Sequence, residues 1–407
     1  MYVQIPTTKR GDAAEIFWVF LRLGLTSFGG PIAHLGYFRE EFVGRRGWLD
    51  DASFAQLLSI CQFLPGPASS QMGFAIGLLR AGWGGAVAAF VAFTLPSALL
   101  MLGFALYAPR VLGDSTGATF VHGLKLVAVV VVAHGLLSMA RTLTPDVRRM
   151  SMAACACVLV LFAGSAWWQL VAIFAGGAIG TWLCRTATLH DVAMFPVRYG
   201  RRFSGACFML FLLGLAGSLA VPGSTPSLGA LTAAAYRSGA LVFGGGHVVL
   251  PLLEREFVAS GWMSADAFLT GYGAAQAVPG PMFSLAAYLG ASVHSGTSPM
   301  FGAAATLLCI FLPGFLLLIA ALPAWAALAK HGWAARAMAG LNAAVVGLLA
   351  AALYDPVWRE GVTSAVDVAV VAIGLVLLLI LRLSALWVVG WCVLATLGWS
   401  LLAGASA

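Results

Sequence analysis

Two short stretches of the sequence each contain a glutamine followed, after two intervening residues, by a Pro-Gly-Pro motif. These residue types suit the binding of an ion. The first covers residues 62–67 (QFLPGP) and the second residues 276–281 (QAVPGP). Proline has no backbone N–H and disfavours the helical conformation of the residue before it, so each stretch predicts a break in a helix. In a membrane protein, breaks at corresponding positions of two halves indicate a substrate site.

The chemistry expected at these breaks is anion binding. A helix N-terminus exposes backbone N–H groups and carries about half of a positive elementary charge. The second half-helix is expected to begin near Ala68 in the first copy and near Met282 in the second. Ser69 and Ser70 in the first copy, and Ser284 in the second, could add hydroxyl donors.

Cations within apolar segments support a negatively charged ligand. Arg22 and Arg237 occupy matched positions, and an intramembrane arginine costs roughly 2.5–3.5 kcal/mol on insertion scales and usually marks function. The alternative is a side chain that snorkels from a helix end. Both roles are open for Lys125, whose counterpart in the second copy is Asn342. Acidic residues are scarce in these segments, which argues against a cation pathway.

Several other side chains near the breaks have two open roles. Gln62 and Gln276 could cap freed backbone groups or donate to a bound oxyanion. His34 and His247 could relay protons or be structural. The predicted substrate-binding set is Arg22, Phe28, Gly29, Gly30, Pro31, His34, Gln62, Pro65, Gly66, Pro67, Ser69, Lys125, Arg237, Gly244, Gly245, His247, Gln276, Pro279, Gly280, Pro281, Ser284 and Asn342.

The remaining charged and sulfur-containing residues receive structural interpretations. Glu40, Glu41, Glu254 and Glu256 are expected to be solvated loop charges, paired with Arg39 or Arg255. The seven cysteines lie in apolar segments without a CxxC pair and are interpreted as small hydrophobic residues. No catalytic residue, metal site or cofactor motif is predicted, and nucleic-acid binding is a weak interpretation of the net charge of +7.

The composition defines the class of protein that must position these residues. Of the 407 residues, 61% are hydrophobic and 9% are charged, whereas soluble domains carry about 25% charged residues. The chain is therefore predicted to be an all-α polytopic membrane protein in a lipid bilayer. Apolar blocks long enough to cross a bilayer, about 20 residues, are predicted at 81–108, 118–140, 151–183, 203–221, 338–353, 363–381 and 384–402.

The chain contains two copies of one unit. The FGG sequence of residues 28–30 recurs at 243–245, a shift of 215 that also relates Arg22 to Arg237. The PGP break recurs at a shift of 214, and Pro96 matches Pro313 at 217. This order of special residues indicates an internal duplication. The predicted units are residues 1–185 and 226–407, and residues 186–225 form a linker with one connecting transmembrane helix.

A single crossing between the copies inverts the second one, and the charge pattern agrees. Cytoplasmic loops carry an excess of lysine and arginine, which assigns basic clusters at residues 9–10, 141–149 and 185–202 to the cytoplasm. Residues 111–119 contain no lysine or arginine, whereas their counterpart 329–336 contains Lys330 and Arg336. The prediction is two homologous repeats in inverted topology, with the N-terminus in the cytoplasm.

The beginning of each repeat is expected to contain broken or re-entrant helices. Residues 17–35 and 53–80 are apolar but are interrupted by the FGG and PGP motifs. Irregular backbone at membrane depth is tolerated only where it is buried in protein or lines a cavity. Two ordinary kinked crossings are the alternative.

The combination of motifs resembles the chromate ion transporter (CHR) family in its long, two-domain form. It consists of LGLTSFGGPIAHLGYFREEFV at 23–43, GWL and QFLPGP, then ALVFGGGHVVLPLLEREFV at 240–258, GWM and QAVPGP. The resemblance covers nearly the whole chain. It implies a protein of the cytoplasmic (inner) membrane that expels chromate and confers resistance, with sulfate as the structural analogue. The second copy departs at Gly246 and His247, so the two FGG sites need not be equivalent.

The resemblance and the charge of the ligand predict secondary efflux by alternating access. Export of a dianion from an inside-negative cell is downhill by about 2 × 2.3 kcal/mol per 100 mV, and a proton gradient is the other possible driving force. The alternatives are a carrier of sulfate or another oxyanion, an anion channel, and a membrane-embedded reductase. The absence of a redox motif counts against the reductase. The sequence is also compatible with a homodimer.

Overall fold

The computed structural model describes residues 12–28, 30–111, 115–163, 167–184, 195, 197, 199–223, 225–243, 248–323, 325 and 332–405. Within these residues the chain is helical and contains no strand. The helices are α1 (Ala13–Thr26), α2 (Gly30–Arg39), α3 (Asp51–Phe63), α4 (Ala68–Val111), α5 (Ser115–Leu143), α6 (Val147–Ala163), α7 (Trp167–Leu183), α8 (Arg201–Ala220), α9 (Leu228–Leu241), α10 (Val249–Phe257), α11 (Ala265–Ala277), α12 (Leu285–Ser292), α13 (Pro299–Ala321), α14 (Gly332–Ala352), α15 (Ala365–Leu379) and α16 (Ala385–Ala405).

The first two helices form a re-entrant hairpin. The 14 residues of α1 extend only about 21 Å, less than the roughly 30 Å hydrocarbon core of a bilayer. The chain reverses direction between α1 and α2. The evidence is an ion pair of 3.4 Å between Arg46, which follows α2, and Glu15 at the start of α1. Asp12 caps the N-terminus of α1 by accepting from the N–H of Ala14, and the Arg46–Glu15 pair places the start of α1 near the end of α2.

A second re-entrant hairpin consists of α3 and the first arm of α4, residues 68–80. The backbone leaves the helical conformation at Ala81 and at Gly82, whose φ is +69°. Gly77 and Gly85 pack so closely that a Cβ on either would overlap the carbonyl of the other. Eight residues of straight helix would separate them by about 12 Å. The chain therefore turns back at Gly82, and the second arm of α4, residues 83–111, makes a full crossing.

The second repeat has the same pattern. Helices α9, α10, α11 and α12 contain 14, 9, 13 and 8 residues and are too short to span a bilayer. Gly290 in α12 and Gly302 in α13 repeat the close contact of Gly77 and Gly85. Broken, re-entrant helices are therefore confirmed at the PGP motif of both repeats, whereas Gly29, Gly244 and Gly245 of the FGG motifs lie outside the described residues.

In the described part of the chain, six stretches are long and apolar enough to cross a bilayer: α5, α8, α13, α14, α16 and the stretch Ala68–Ala108, which contains the second arm of α4. Helices α6, α7 and α15 are shorter, with 17, 17 and 15 residues, and α8 lies between the two repeats. The predicted crossings were incomplete in two places. Residues 151–183 form two helices, since 33 helical residues would extend about 50 Å, and the span Pro299–Ala321 was missed because Pro313 interrupts its apolar sequence.

The two repeats exchange helices across a pseudo-twofold axis. Gly123 of α5 packs against α16, where an added Cβ would lie 2.9 Å from the Cα of Val393. Its counterpart Gly340 of α14 packs in the same way against Gly176 of α7. Both pairs are related by a shift of 217, which confirms the two homologous repeats. Small residues permit this close approach of membrane helices.

Candidate functional site

The break of each repeat is hydrogen-bonded to the first helix of the other repeat. The N–H of Gly66 donates to the carbonyl of Val242, at the C-terminus of α9, at 2.7 Å. The N–H of Gly280 donates to the carbonyl of Ser27, at the C-terminus of α1, at 2.9 Å. We call these two contacts the crossed breaks. Since helix C-termini carry a partial negative charge, they are suitable acceptors for these amides.

Glycine is required at both crossed breaks. The φ angles of Gly66 and Gly280 are +122° and +97°, in the left-handed region that favours glycine. A Cβ on Gly66 would lie 2.9 Å from the Cα of Gly314, and a Cβ on Gly280 would lie 3.1 Å from the hydroxyl of Ser97. Gly314 and Ser97 are themselves related by a shift of 217. Pro65, Pro67, Pro279 and Pro281 flank these glycines.

One turn beyond each break, a buried serine repeats in both halves. Ser70 in α4 is 2% exposed and Ser284 before α12 is 1% exposed, and a shift of 214 relates them. Neither hydroxyl has a hydrogen-bond partner among the described residues. Ser69 is also buried, but its counterpart is Phe283. Ser70 and Ser284 are thus the symmetric donors beside the N-terminal ends of the half-helices.

His34 lies at the crossed break formed by Ser27. Its Nε2 donates to the Ser27 carbonyl at 3.3 Å, the same carbonyl that accepts from Gly280. The ring is fully buried and lies edge-on to Phe93, with the centroids 5.3 Å apart. The Nδ1 atom of His34 and the hydroxyl of Ser27 have no partner within the described residues. This crossed break therefore contains additional polar groups that a ligand could use.

The capping glutamine is Gln71, which the predicted set omitted. Its Nε2 donates to the carbonyls of Pro65 at 3.0 Å and Gly314 at 2.9 Å. Gln62 is exposed, and Gln276 donates to the sulfur of Met282 at 3.0 Å. The sequence signal that could have identified Gln71 is its position as a polar residue in the first turn of an apolar half-helix.

The predicted cations have different environments. Arg22 is exposed on α1, between the exposed side chains of Trp18 and Leu25. Arg237 instead forms an ion pair with Glu256, with Nε 3.1 Å from Oε1, and also donates to the Ser218 carbonyl. The two matched arginines are thus not equivalent in the structure.

Lys125 and His122 each contact a carboxylate of the second repeat. Nζ of Lys125 lies 2.8 Å from Oδ1 of Asp266, at the start of α11. One turn earlier, Nε2 of His122 lies 2.8 Å from Oδ1 of Asp367. Asn342, the counterpart of Lys125, has a buried Oδ1 without a partner among the described residues.

Three of the acidic residues were interpreted wrongly from the sequence, and one of them, Glu254, lies half-buried in the last turn of α10. Glu256 has a side chain only 14% exposed and pairs with Arg237. Glu41 is 8% exposed and pairs with Arg46 at 2.7 Å and with Arg45 at 3.2 Å. Both are therefore buried partners of arginines and not solvated loop charges. Arg39 forms an exposed ion pair with Asp51 at 2.7 Å.

The FGG residues are described only in part. Phe28 is half-buried between α1 and α2, Gly30 has a φ of +76° and Pro31 is the second residue of α2. Gly29, Gly244, Gly245 and His247 lie outside the described residues.

Phenylalanine rings that follow the two crossed breaks are connected through ring contacts. Phe283, next to Ser284, contacts Phe311 with 5.8 Å between ring centroids. Phe74, one turn after Ser70, stacks on Phe315 at 4.5 Å, and Phe311 stacks on Phe315 at 6.0 Å. Apolar rings thus connect the segments that carry Ser70 and Ser284.

Inverted repeats with half-helices meeting at their interface define a class of protein. They are typical of membrane transporters, whose substrate sites are built from such half-helix ends. The chain belongs to the chromate transporter family, since the family model described as "Chromate transporter" matches residues 14–181 and 229–399.

Curated relatives match most of the chain. A chromate transport protein of Pseudomonas aeruginosa is 27% identical over 370 residues, covering 89% of this chain and 86% of that protein. A probable chromate transport protein of Synechococcus elongatus is 25% identical and covers 82% of each chain. One from Cupriavidus metallidurans is 24% identical, covering 86% and 84%. No solved structure gives a significant match.

Proposed function

We propose that this protein is a secondary transporter that exports chromate across the cytoplasmic membrane and confers chromate resistance. The observation that carries the proposal is the pair of crossed breaks, which places buried serine hydroxyls beside two half-helix N-termini in inverted repeats. Such ends favour a doubly negative tetrahedral oxyanion. The names of the relatives identify chromate as the oxyanion to test first.

In this proposal the N-terminus is cytoplasmic and the repeats are residues 1–185 and 226–407, joined by the linker 186–225. The face that carries Asp12 and the turn after Leu143 is then the cytoplasmic face. The opposite face, with Glu256, Asp266 and Asp367, is then external. Alternating access would separate one crossed break at a time, and export of the dianion would be driven by the membrane potential or a proton gradient.

The direct test is uptake of labelled chromate into everted membrane vesicles that contain the protein. Energised vesicles have a positive interior, so they should accumulate chromate until ionophores collapse the potential and the pH gradient. Vesicles without the protein are the control. Uptake that persists unchanged after both gradients are collapsed would contradict secondary transport.

Competition experiments separate the alternatives. Excess sulfate should reduce chromate uptake less than the same excess of unlabelled chromate, and a stronger effect of sulfate would identify a sulfate carrier. Planar-bilayer recording should show no unitary conductance. Channel currents without substrate competition would identify an anion channel.

Replacement of Ser70 or Ser284 by alanine should raise the KM for chromate about tenfold. A hydrogen bond to a charged group contributes roughly 1.5–3 kcal/mol, and about 1.4 kcal/mol corresponds to a factor of ten. Ser59→Ala is the matched control, because that hydroxyl bonds only to the Ala55 carbonyl of its own helix. An unchanged KM in both variants would remove these serines from the site.

A further inference from the structure

A half-buried carboxyl group outside the crossed breaks lines a cavity of about 280 Å³. Glu254 belongs to the last turn of α10, a nine-residue helix that does not cross the membrane. The residues that follow, 259–261, are exposed, so Glu254 lies near one face of the protein. The cavity is enclosed by α6, α7 and α14, so elements of both repeats meet around this carboxyl group.

The polar groups that face Glu254 are few. Gln169 of α7 contributes a buried Oε1 that has no partner in the described part of the chain. Asp355, after α14, contributes a second carboxylate, and Arg255 a guanidinium. The lining residues of α6 and α14 are all apolar. A protonated Glu254 would be a donor for Gln169, whereas an ionised one would not.

Two carboxyl groups that share a site do not both ionise readily, because like charges disfavour the charged form. Asp355 already forms an ion pair with Arg359, with Nη1 2.8 Å from Oδ2. Glu254 is then the group that binds a proton. Burial and the nearby Asp355 carboxylate raise the pKa of Glu254 to about 7. Its protonated form is favoured below that pH and lost above it.

Arg255 connects this cavity to one of the predicted anion-binding cations. It also lines a second cavity, of about 330 Å³, together with Arg237 and Glu256. Protonation of Glu254 changes the charge beside Arg255 and hence the electrostatic environment of the Arg237–Glu256 pair. A proton bound at one cavity can in this way affect an anion held near the other.

We propose that Glu254 is the proton-binding carboxylate that couples transport to the proton gradient. This inference rests on the proposed chromate transport. Glu254 binds one proton from the face on which it lies and releases it to the opposite side of the membrane. Chromate moves in the direction opposite to that of the proton. No bond other than that to the exchanged proton is made or broken.

The test uses the full-length protein in liposomes, with the membrane potential clamped by potassium and valinomycin. With one proton per chromate, the steady-state chromate gradient of the wild-type protein should change tenfold per unit of pH difference, since one pH unit corresponds to about 1.4 kcal/mol. Glu254→Gln should still respond to the potential but lose the response to the pH difference. Glu360→Gln, an exposed carboxyl group on the same face, is the matched control and should behave as the wild type.

Each outcome separates this inference from the proposed function. A pH response retained in Glu254→Gln, or potential-driven transport without any pH response in the wild type, would overturn the role of Glu254 and leave chromate transport standing. Absence of chromate flux in the wild type under both gradients would overturn the proposed function itself.

A second variant keeps the inference testable if Glu254→Gln does not fold. Asp355→Asn removes the like charge but retains Glu254, so the midpoint of the pH response should move to lower pH. An unchanged midpoint would contradict the shared carboxyl site.

Discussion

Replacement of Gly66 by alanine is expected to reduce chromate transport at least tenfold. An alanine at this position must adopt a φ of +122°, and left-handed backbone costs roughly 1–2 kcal/mol. The new Cβ would also lie 2.9 Å from the Cα of Gly314, a backbone atom that cannot rotate away. The crossed hydrogen bond to Val242 would therefore be displaced, and with it the end of the half-helix that carries Ser70.

The control for this experiment is Gly82→Ala. Gly82 also has a positive φ, +69°, but a Cβ there would have no neighbour within 4 Å. The Gly82→Ala variant therefore measures the effect of backbone strain without a steric collision. We expect its transport to be within about threefold of the wild type. Gly280→Ala should be intermediate, since its nearest contacts are at 3.1 Å. Uptake by everted vesicles, normalised to the amount of folded protein, is the measurement. Wild-type uptake by Gly66→Ala would show that the crossed break is not needed.

Removal of Arg22 and removal of Arg237 are each expected to abolish transport, but with different effects on stability. Arg22→Ala should change the free energy of unfolding by no more than about 0.5 kcal/mol, because its side chain is exposed and has no ion pair among the described residues. Arg237→Ala should cost roughly 3 kcal/mol, because it leaves the largely buried Glu256 carboxylate unpaired.

The double variant Arg237→Ala/Glu256→Ala separates the two roles of Arg237. It removes both charges, so it should recover most of the thermal stability that the single variant loses in detergent. Transport should remain absent if Arg237 also attracts the anion. Recovery of both stability and wild-type transport would show that Arg237 is only the partner of Glu256, and wild-type transport by Arg22→Ala would exclude Arg22 from the site.

Local sequence patterns predicted much of the architecture. The PGP and FGG motifs mark helix ends, because proline removes a backbone donor and glycine permits positive φ. Their recurrence at a shift of 214–215 predicted the repeat, and the single connecting helix predicted its inversion. The Gly77–Gly85 turn was not predicted, since a glycine within an apolar block is equally compatible with an uninterrupted membrane helix.

The sequence by itself thus determined a membrane protein of two inverted repeats with broken helices, because composition, prolines and spacing act within a short length of chain. Only the tertiary structure decided which groups meet. The break at Gly66 pairs with Val242 of the other repeat, Lys125 with Asp266 and Arg237 with Glu256. Arg22, although matched to Arg237 in sequence, is exposed. Such partners depend on how the repeats pack around their pseudo-twofold axis, and packing joins residues too far apart in the chain for any local pattern to specify.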